Sequence, residues 1–230
     1  MLILALDTTT RAGSAALLDD NLVRAVAAGD ASRTHGERLP AELAHVLELG
    51  GARLEAVDLL AVASGPGAFT GLRIGLAAMQ ALAMTLDRPV IGISALDALA
   101  AAAFESLGVR RARIGAWMDA ARGEVFAALY EAEGNTGGCP WLTPLRLPEV
   151  ATAETICARW GGDLAPDAVL VGDGAERYGG AAQRGLRVLS HPLLAPAIGR
   201  LAGRAVADGR PHIPHHLQPL YVRRPDVEHG

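Results

Sequence analysis

The segment Ser64-Gly65-Pro66-Gly67-Ala68-Phe69-Thr70-Gly71-Leu72-Arg73-Ile74-Gly75 has residue types that receive an anion. Glycines let backbone approach a ligand closely and take positive φ. Pro66 pins one φ value, and Thr70 stands where it can cap the helix behind it. The unpaired N–H groups and dipole of a helix start favour negative charge. Asp7-Thr8-Thr9 offers a carboxylate that could orient a hydrated metal ion and hydroxyls that could meet phosphate oxygens. The candidate nucleotide- or phosphate-binding set is therefore Asp7, Thr8, Thr9, Gly65, Gly67, Thr70 and Gly71. The same residues have a plainer reading. An Asp/Thr turn satisfies its own backbone, and a glycine-rich corner turns a strand into a helix. Spacing alone leaves both open.

Other chemistry is poorly supplied. All 21 basic residues are arginine, which excludes a P-loop lysine, a Schiff-base lysine and a kinase-type ATP lysine. Of the seven histidines, His212 and His216 are clustered with His215, but Pro214 breaks any helix there and no metal pair is expected. Cys139 and Cys157 lack metal-type spacing and make no disulfide framework. Ser64 and Ser94 lack a G-x-S-x-G elbow. Neither a catalytic set nor a metal site is expected.

The elements that must position these residues repeat. Residues 2–6 form a buried strand ending in Asp7, followed by strands over 13–18 and 22–27 about an Asp-Asp-Asn turn. Leu39, Leu43, Val46 and Leu47 give a helix over 36–49 an apolar face. A strand over 59–63 precedes the glycine segment, and a helix starts at about Gly71. A strand over 89–93 leads into an alanine-rich helix capped by Ser94 and ending near Gly108. In the second half, a strand over 114–118 ends in Asp119 and another covers 124–130. Aligning Asp7 with Asp119 places Ala15-Ala16-Leu17 on Ala127-Ala128-Leu129. Val169-Leu170-Val171 running into Gly172-Asp173-Gly174-Ala175 echoes the first glycine segment. Matched landmarks in one order point to a duplicated unit. The expected fold is α/β, actin-like (the ASKHA, RNase H-like class), with two lobes at 1–108 and 109–230. Each lobe would be a mixed sheet flanked by helices.

Composition narrows the partners. With 230 residues, 50% of them hydrophobic and net charge −4, the chain can bury substantial cores. A pI near 6.0 argues against gripping nucleic acid alone. The apolar start lacks a basic n-region, and the run over 76–86 is too short to span a membrane, so a cytoplasmic location is expected. The helix after the glycine segment is rich in small residues, with Met79, Leu82 and Met84 between them. Its faces could pack inward on its own sheet or outward on a second subunit.

Residues 4–9, the motif over 65–75, the Asp119-Ala120-Ala121-Arg122-Gly123-Glu124 segment and the Pro219-Leu220-Tyr221-Val222-Arg223 tail resemble the TsaB family. That family sits in the group once called glycoprotease-like and is paralogous to TsaD. TsaD transfers a threonylcarbamoyl group to an adenosine beside the tRNA anticodon. The resemblance implies a non-catalytic, activating subunit that pairs with TsaD and joins the ATPase TsaE. It implies contact with tRNA through the complex; for the isolated chain, homodimer and monomer both stay open. ATP or ADP and Mg would belong to the complex, with no cofactor required by this subunit. The family's contact uses the first-lobe helices, here placing His35, Glu37, Leu39, Leu43, Phe69, Arg73, Ala77, Ala78 and Ala81 at the partner interface. Ala68 departs from the serine frequent at that motif position and weakens any phosphate role. The alternatives are an independent actin-like ATPase or small-molecule kinase, and a peptidase.

Overall fold

The structure is a computed structural model, which describes residues 1–134, 138–164, 167–182, 185–209 and 217–222. His212, His215, His216, His229 and Arg223 lie outside the described residues.

The first half runs β1 (Leu2–Asp7), β2 (Ser14–Asp19), β3 (Leu22–Ala28), α1 (His35–Leu49), β4 (Leu59–Gly65), α2 (Phe69–Leu86), β5 (Val90–Ser94) and α3 (Ala95–Leu107). A short 3-10 turn at Leu54–Ala56 precedes β4. The second half runs β6 (Arg111–Asp119), β7 (Glu124–Glu133), β8 (Trp141–Thr152), α4 (Ala153–Trp160), β9 (Val169–Val171), α5 (Asp173–Ala182), β10 (Arg187–Leu189) and α6 (Ala195–Ala207). The element order is the same in both. So is the strand order, β3-β2-β1-β4-β5 in one five-stranded sheet and β8-β7-β6-β9-β10 in the other. Each sheet is mixed: a three-stranded antiparallel meander is extended by two parallel strands. The duplication read from short matches is thus present strand for strand.

Both crossover corners turn on a glycine. Gly65 and Gly172 each have φ near +113°, a conformation open to glycine and strained for other residues. Two local predictions hold at α3. The Ser94 side chain accepts from the Asp97 amide at 3.4 Å, and Gly108 ends the helix in the left-handed conformation. Ser94→Ala should cost about 1 kcal/mol in a urea titration; an unchanged midpoint would remove the cap from the account.

The central core lies between the sheets. Ala95, Ala98, Ala100, Ala101 and Ala103 of α3 and Ala195, Ala197, Ala202 and Ala205 of α6 are buried in one apolar cluster with both sheets. Small side chains let these two helices approach closely, as the compositional run of alanines requires. They are pinned by Arg200, which donates to Glu105 at 2.7 Å and to the Asn21 carbonyl at 3.0 Å. Helix α6 is carried by the second half of the chain yet packs on β1, β2 and β4. The elements β8, α4, β10 and α6 were not legible beforehand. β8 is an edge strand carrying two prolines, and β10 has three residues.

The helix behind the glycine segment starts at Phe69, earlier than the glycine spacing implied, and runs 18 residues. Ala68, whose side chain makes no cap bond, is the N-cap. Thr70 lies inside the first turn, so its expected capping role is not realised. This early start makes α2 long and apolar enough, by length and composition, to cross a membrane, which the shorter 76–86 run was not. Here α2 packs on β4 and α1.

Candidate functional site

The carboxyl ends of β1 and β4 face those of β6 and β9 across a cleft of about 500 Å³. Crevices outside strand carboxyl ends are where open α/β sheets take ligands. Its lining includes Thr9, Arg11, Gly67, Asp119, Asp173 and Tyr221. Of the candidate phosphate residues, only Thr9 and Gly67 line this cleft.

Asp7 is 2% exposed, and its Oδ1 accepts from the Thr9 amide at 2.8 Å and from the Thr9 hydroxyl at 2.6 Å. The plainer reading of this turn, a side chain satisfying local backbone, therefore describes its geometry. Burial pushes the Asp7 carboxyl above the usual carboxylate range, opposed by the Thr9 bonds. An acid with a raised folded pKa binds more protons in the native state than unfolded. Its stabilising contribution is complete below the ordinary aspartate pKa of about 4 and declines as pH rises through the window above it. The stability of the wild type minus that of Asp7→Asn should fall from about pH 4 towards neutrality. Urea titrations across that range check it; a flat difference would refute the burial effect.

The glycines beside this turn are filled by protein. A Cβ on Gly67 would stand 2.5 Å from the Thr9 Cβ. One on Gly71 would run into the Thr8 carbonyl, and one on Gly75 into the Thr8 hydroxyl. The spacing 67, 71, 75 is thus a seam that lets the glycine corner and the first turns of α2 press against Thr8 and Thr9. The Ala68 amide is used as well, donating to the Thr9 carbonyl at 2.8 Å. Above Gly65, the Leu220 carbonyl would stand 2.8 Å from an added Cβ. Thr70 is exposed on the first turn of α2.

Opposite, Asp119 pairs with Arg177 at 2.8 Å and accepts from the Ala121 amide at 2.9 Å. Asp173 Oδ1 accepts from the amides of Asp119 at 3.0 Å and Gly174 at 2.9 Å, tying two strand ends together. Arg11, the lining cation, donates through Nε to the Ala31 carbonyl at 2.8 Å. Among the described residues no group of three or more His, Cys, Asp and Glu could hold a metal ion. The glycine corner is filled by the Thr8 and Thr9 side chains and backbone, and Asp7, Asp119 and Asp173 each accept hydrogen bonds from nearby amides.

The two first-lobe helices are differently disposed. On α1, Leu39 and Leu43 are 3% and 7% exposed and belong to the core under the first sheet. Their apolar spacing marks the buried face of α1, so they offer no surface for a partner. His35 is also buried: its Nδ1 accepts from Arg38 at 2.8 Å and its Nε2 donates to the Thr10 carbonyl at 3.0 Å. Glu37 closes a capping box with Thr34, bonding its amide at 2.9 Å and hydroxyl at 2.8 Å. The outward side of α1 carries Pro40, Ala41 and Ala44 together with Glu37, His45 and Glu48. On α2 the outward residues are Phe69, Thr70, Arg73, Ala77, Ala81, Met84 and Thr85, while Ala78 is half-buried against the core. Arg73 is the single charge in the helix. Ala41 and Ala44, outward on α1 between the exposed Glu37 and Glu48, carry no sequence signal that sets them apart from an ordinary solvated helix side.

The family model for TsaD, tRNA N6-adenosine threonylcarbamoyltransferase, matches residues 26–138. Over 97% of this chain and 95% of the relative, the sequence is 32% identical to the tRNA threonylcarbamoyladenosine biosynthesis protein TsaB of Escherichia coli K12. The chain belongs to the TsaB family. A crystal structure from Pseudomonas aeruginosa, an uncharacterized protein with similarity to the peptidase YEAZ, superposes with a TM-score of 0.81. It is 32% identical and the match covers 96% of this chain and 99% of that one. Component A of the (R)-2-hydroxyglutaryl-CoA dehydratase of Acidaminococcus fermentans superposes with a TM-score of 0.50 at 13% identity over 90% of this chain and 99% of that one, which shows the shared fold. The TsaB-family chain therefore has the duplicated, actin-like architecture expected from its sequence, with a glycine corner packed shut.

Proposed function

We propose that this TsaB-family chain acts in tRNA threonylcarbamoyladenosine biosynthesis as a non-catalytic subunit that pairs with the catalytic paralogue TsaD and activates it. The observation that carries this reading is the contrast between its two surfaces. At the cleft, Asp7, Asp119 and Asp173 accept local amide hydrogen bonds and the glycine corner packs against Thr8 and Thr9. On α2, an 18-residue helix with one charge leaves Phe69, Ala77, Ala81 and Met84 outward. Small residues permit helices to approach to about 8–10 Å and interlock, and an uncovered apolar helix face marks an interaction site. On α1 the outward Pro40, Ala41 and Ala44 add small residues, set between the exposed Glu37 and Glu48.

Activation then follows from differential binding. A subunit that binds the active state of its partner more tightly than the inactive state shifts the population towards it. No reacting group need come from this chain, nor a cofactor of its own; ATP or ADP and Mg would serve the assembly through TsaE and TsaD. The acidic balance of the chain agrees with tRNA being held by the complex. In isolation the same helix face would pair two copies.

The test is co-purification of the full chain with the TsaD and TsaE of its own organism, with and without ATP, followed by a tRNA modification assay. Modification that needs this chain and elution as a complex are the expected results. Full modification without it, or robust ATP turnover by this chain alone that is lost in Asp7→Ala, would overturn the reading.

A further inference from the structure

The end of the described chain lies across both the cleft and the head of α2. Gln80 Nε2 donates to the Leu217 carbonyl at 3.1 Å, and the Leu220 amide donates to the Ser64 carbonyl at 2.7 Å. Arg73 Nε donates to the Tyr221 hydroxyl at 3.3 Å. The Tyr221 ring stacks on Phe69 with centroids 5.8 Å apart, and the Arg73 guanidinium lies 4.0 Å from the Phe69 centroid on the same patch. Leu217 packs on the core under the first sheet, and Val222 on the core between the sheets.

Two glycines leave room for this segment. At Gly65 an added Cβ would meet the Leu220 carbonyl at 2.8 Å, and at Gly92 it would meet Leu217 Cδ1 at 2.6 Å. Leu220, Tyr221 and Val222 also form part of the cleft wall. The segment is therefore seated by shape at two neighbouring strands. Its middle is the least covered part: Leu220 and Tyr221 are 39% and 40% exposed, between the half-buried Leu217 and Val222. A segment with few buried contacts opens at low free-energy cost.

We propose that residues 217–222 are a strap that couples the cleft to the partner-binding side of α2, so that seating of the strap and docking of the partner favour each other. The inference rests on the reading of α2 as the pairing helix. Phe69, on the first turn of that helix, is 48% exposed and is flanked by the stacked Tyr221 ring and by the Arg73 guanidinium, which bond each other. A seated strap thus presents an aromatic pair and a cation already ordered, which lowers the entropy lost when a partner docks. Aromatic and arginine side chains of this kind carry much of the energy at interfaces. Coupling is reciprocal: a strap that tightens partner binding by some factor is itself held by the bound partner by the same factor. Lifting the strap would remove one wall of the cleft and release Phe69 together.

The experiment uses the full chain with purified TsaD of its own organism. Tyr221→Ala should weaken pairing about tenfold, the scale of a truncated interface anchor. Tyr221→Phe keeps the ring stack and should stay within about threefold of wild type. In wild type, amide exchange at 220–222 should slow about tenfold when the partner saturates the chain. Pairing of Tyr221→Ala within twofold of wild type, or exchange at 220–222 that ignores the partner, overturns the strap. Ala77→Arg separates the two ideas. If it blocks pairing while Tyr221→Ala does not, the strap alone fails; if Ala77→Arg pairs normally, the α2 reading itself fails.

Discussion

Arginine at position 77 or 81 should abolish pairing with the catalytic partner while leaving this chain folded. Both alanines are exposed on α2, so a long charged side chain there meets solvent in the free chain. Surface changes of that kind usually move stability by no more than about 0.5 kcal/mol. In a helix–helix contact the same guanidinium must displace the close approach that alanine allows, and it enters an apolar seam without a partner. A buried, unpaired charge costs about 3 kcal/mol or more, which is at least a hundredfold in affinity. Size exclusion should show two separate peaks, and calorimetry should show no binding at micromolar concentrations. Complex elution unchanged for both variants would place the interface elsewhere. Ala78→Arg is the less informative change, because Ala78 is half-buried against the first-lobe core and the substitution would disturb the fold itself.

Arg38→Ala should destabilise the chain by about 3 kcal/mol. Arg38 is 2% exposed on α1. Its guanidinium donates to the carbonyls of Arg11 at 3.0 Å and Ala12 at 2.6 Å, to His35 Nδ1 at 2.8 Å and to Glu42. It is therefore the clasp between α1 and the turn that carries Thr8, Thr9 and Thr10. Truncation leaves two carbonyls, an imidazole nitrogen and a carboxylate with a missing donor, and unmade bonds in buried surroundings cost more than made ones contribute. Urea unfolding should show a lowered midpoint with an unchanged slope. A loss below about 1 kcal/mol would mean that water replaces the guanidinium without penalty. The sequence gives no sign of this clasp, since a charged residue in an amphipathic helix is ordinarily read as part of its solvated side.

The glycine segment shows how far local spacing reaches. Its composition allowed an anion cradle or a tight corner. Glycine permits close approach without specifying what approaches. Here the visitors are Thr8, Thr9 and the Leu220 carbonyl. The spacing of Leu39 and Leu43 had a similar ambiguity. It identified an apolar side of α1, and packing made that side internal, leaving Glu37, Pro40, Ala41, Ala44 and Glu48 outward.

Sequence by itself determined the strands and helices of the first lobe, the Ser94 and Gly108 caps, the aspartate-ended strands and their repetition. These depend on interactions between near neighbours along the chain: turn chemistry, capping and the periods of strand and helix. It also carried the family resemblance. Tertiary structure alone decided which helix sides remain outward, what fills the glycine corner, that α6 covers the first sheet, and that Tyr221 returns to Arg73 across 148 residues. Contacts at that separation are chosen by the shape and burial of the assembled cores, and no local period encodes them.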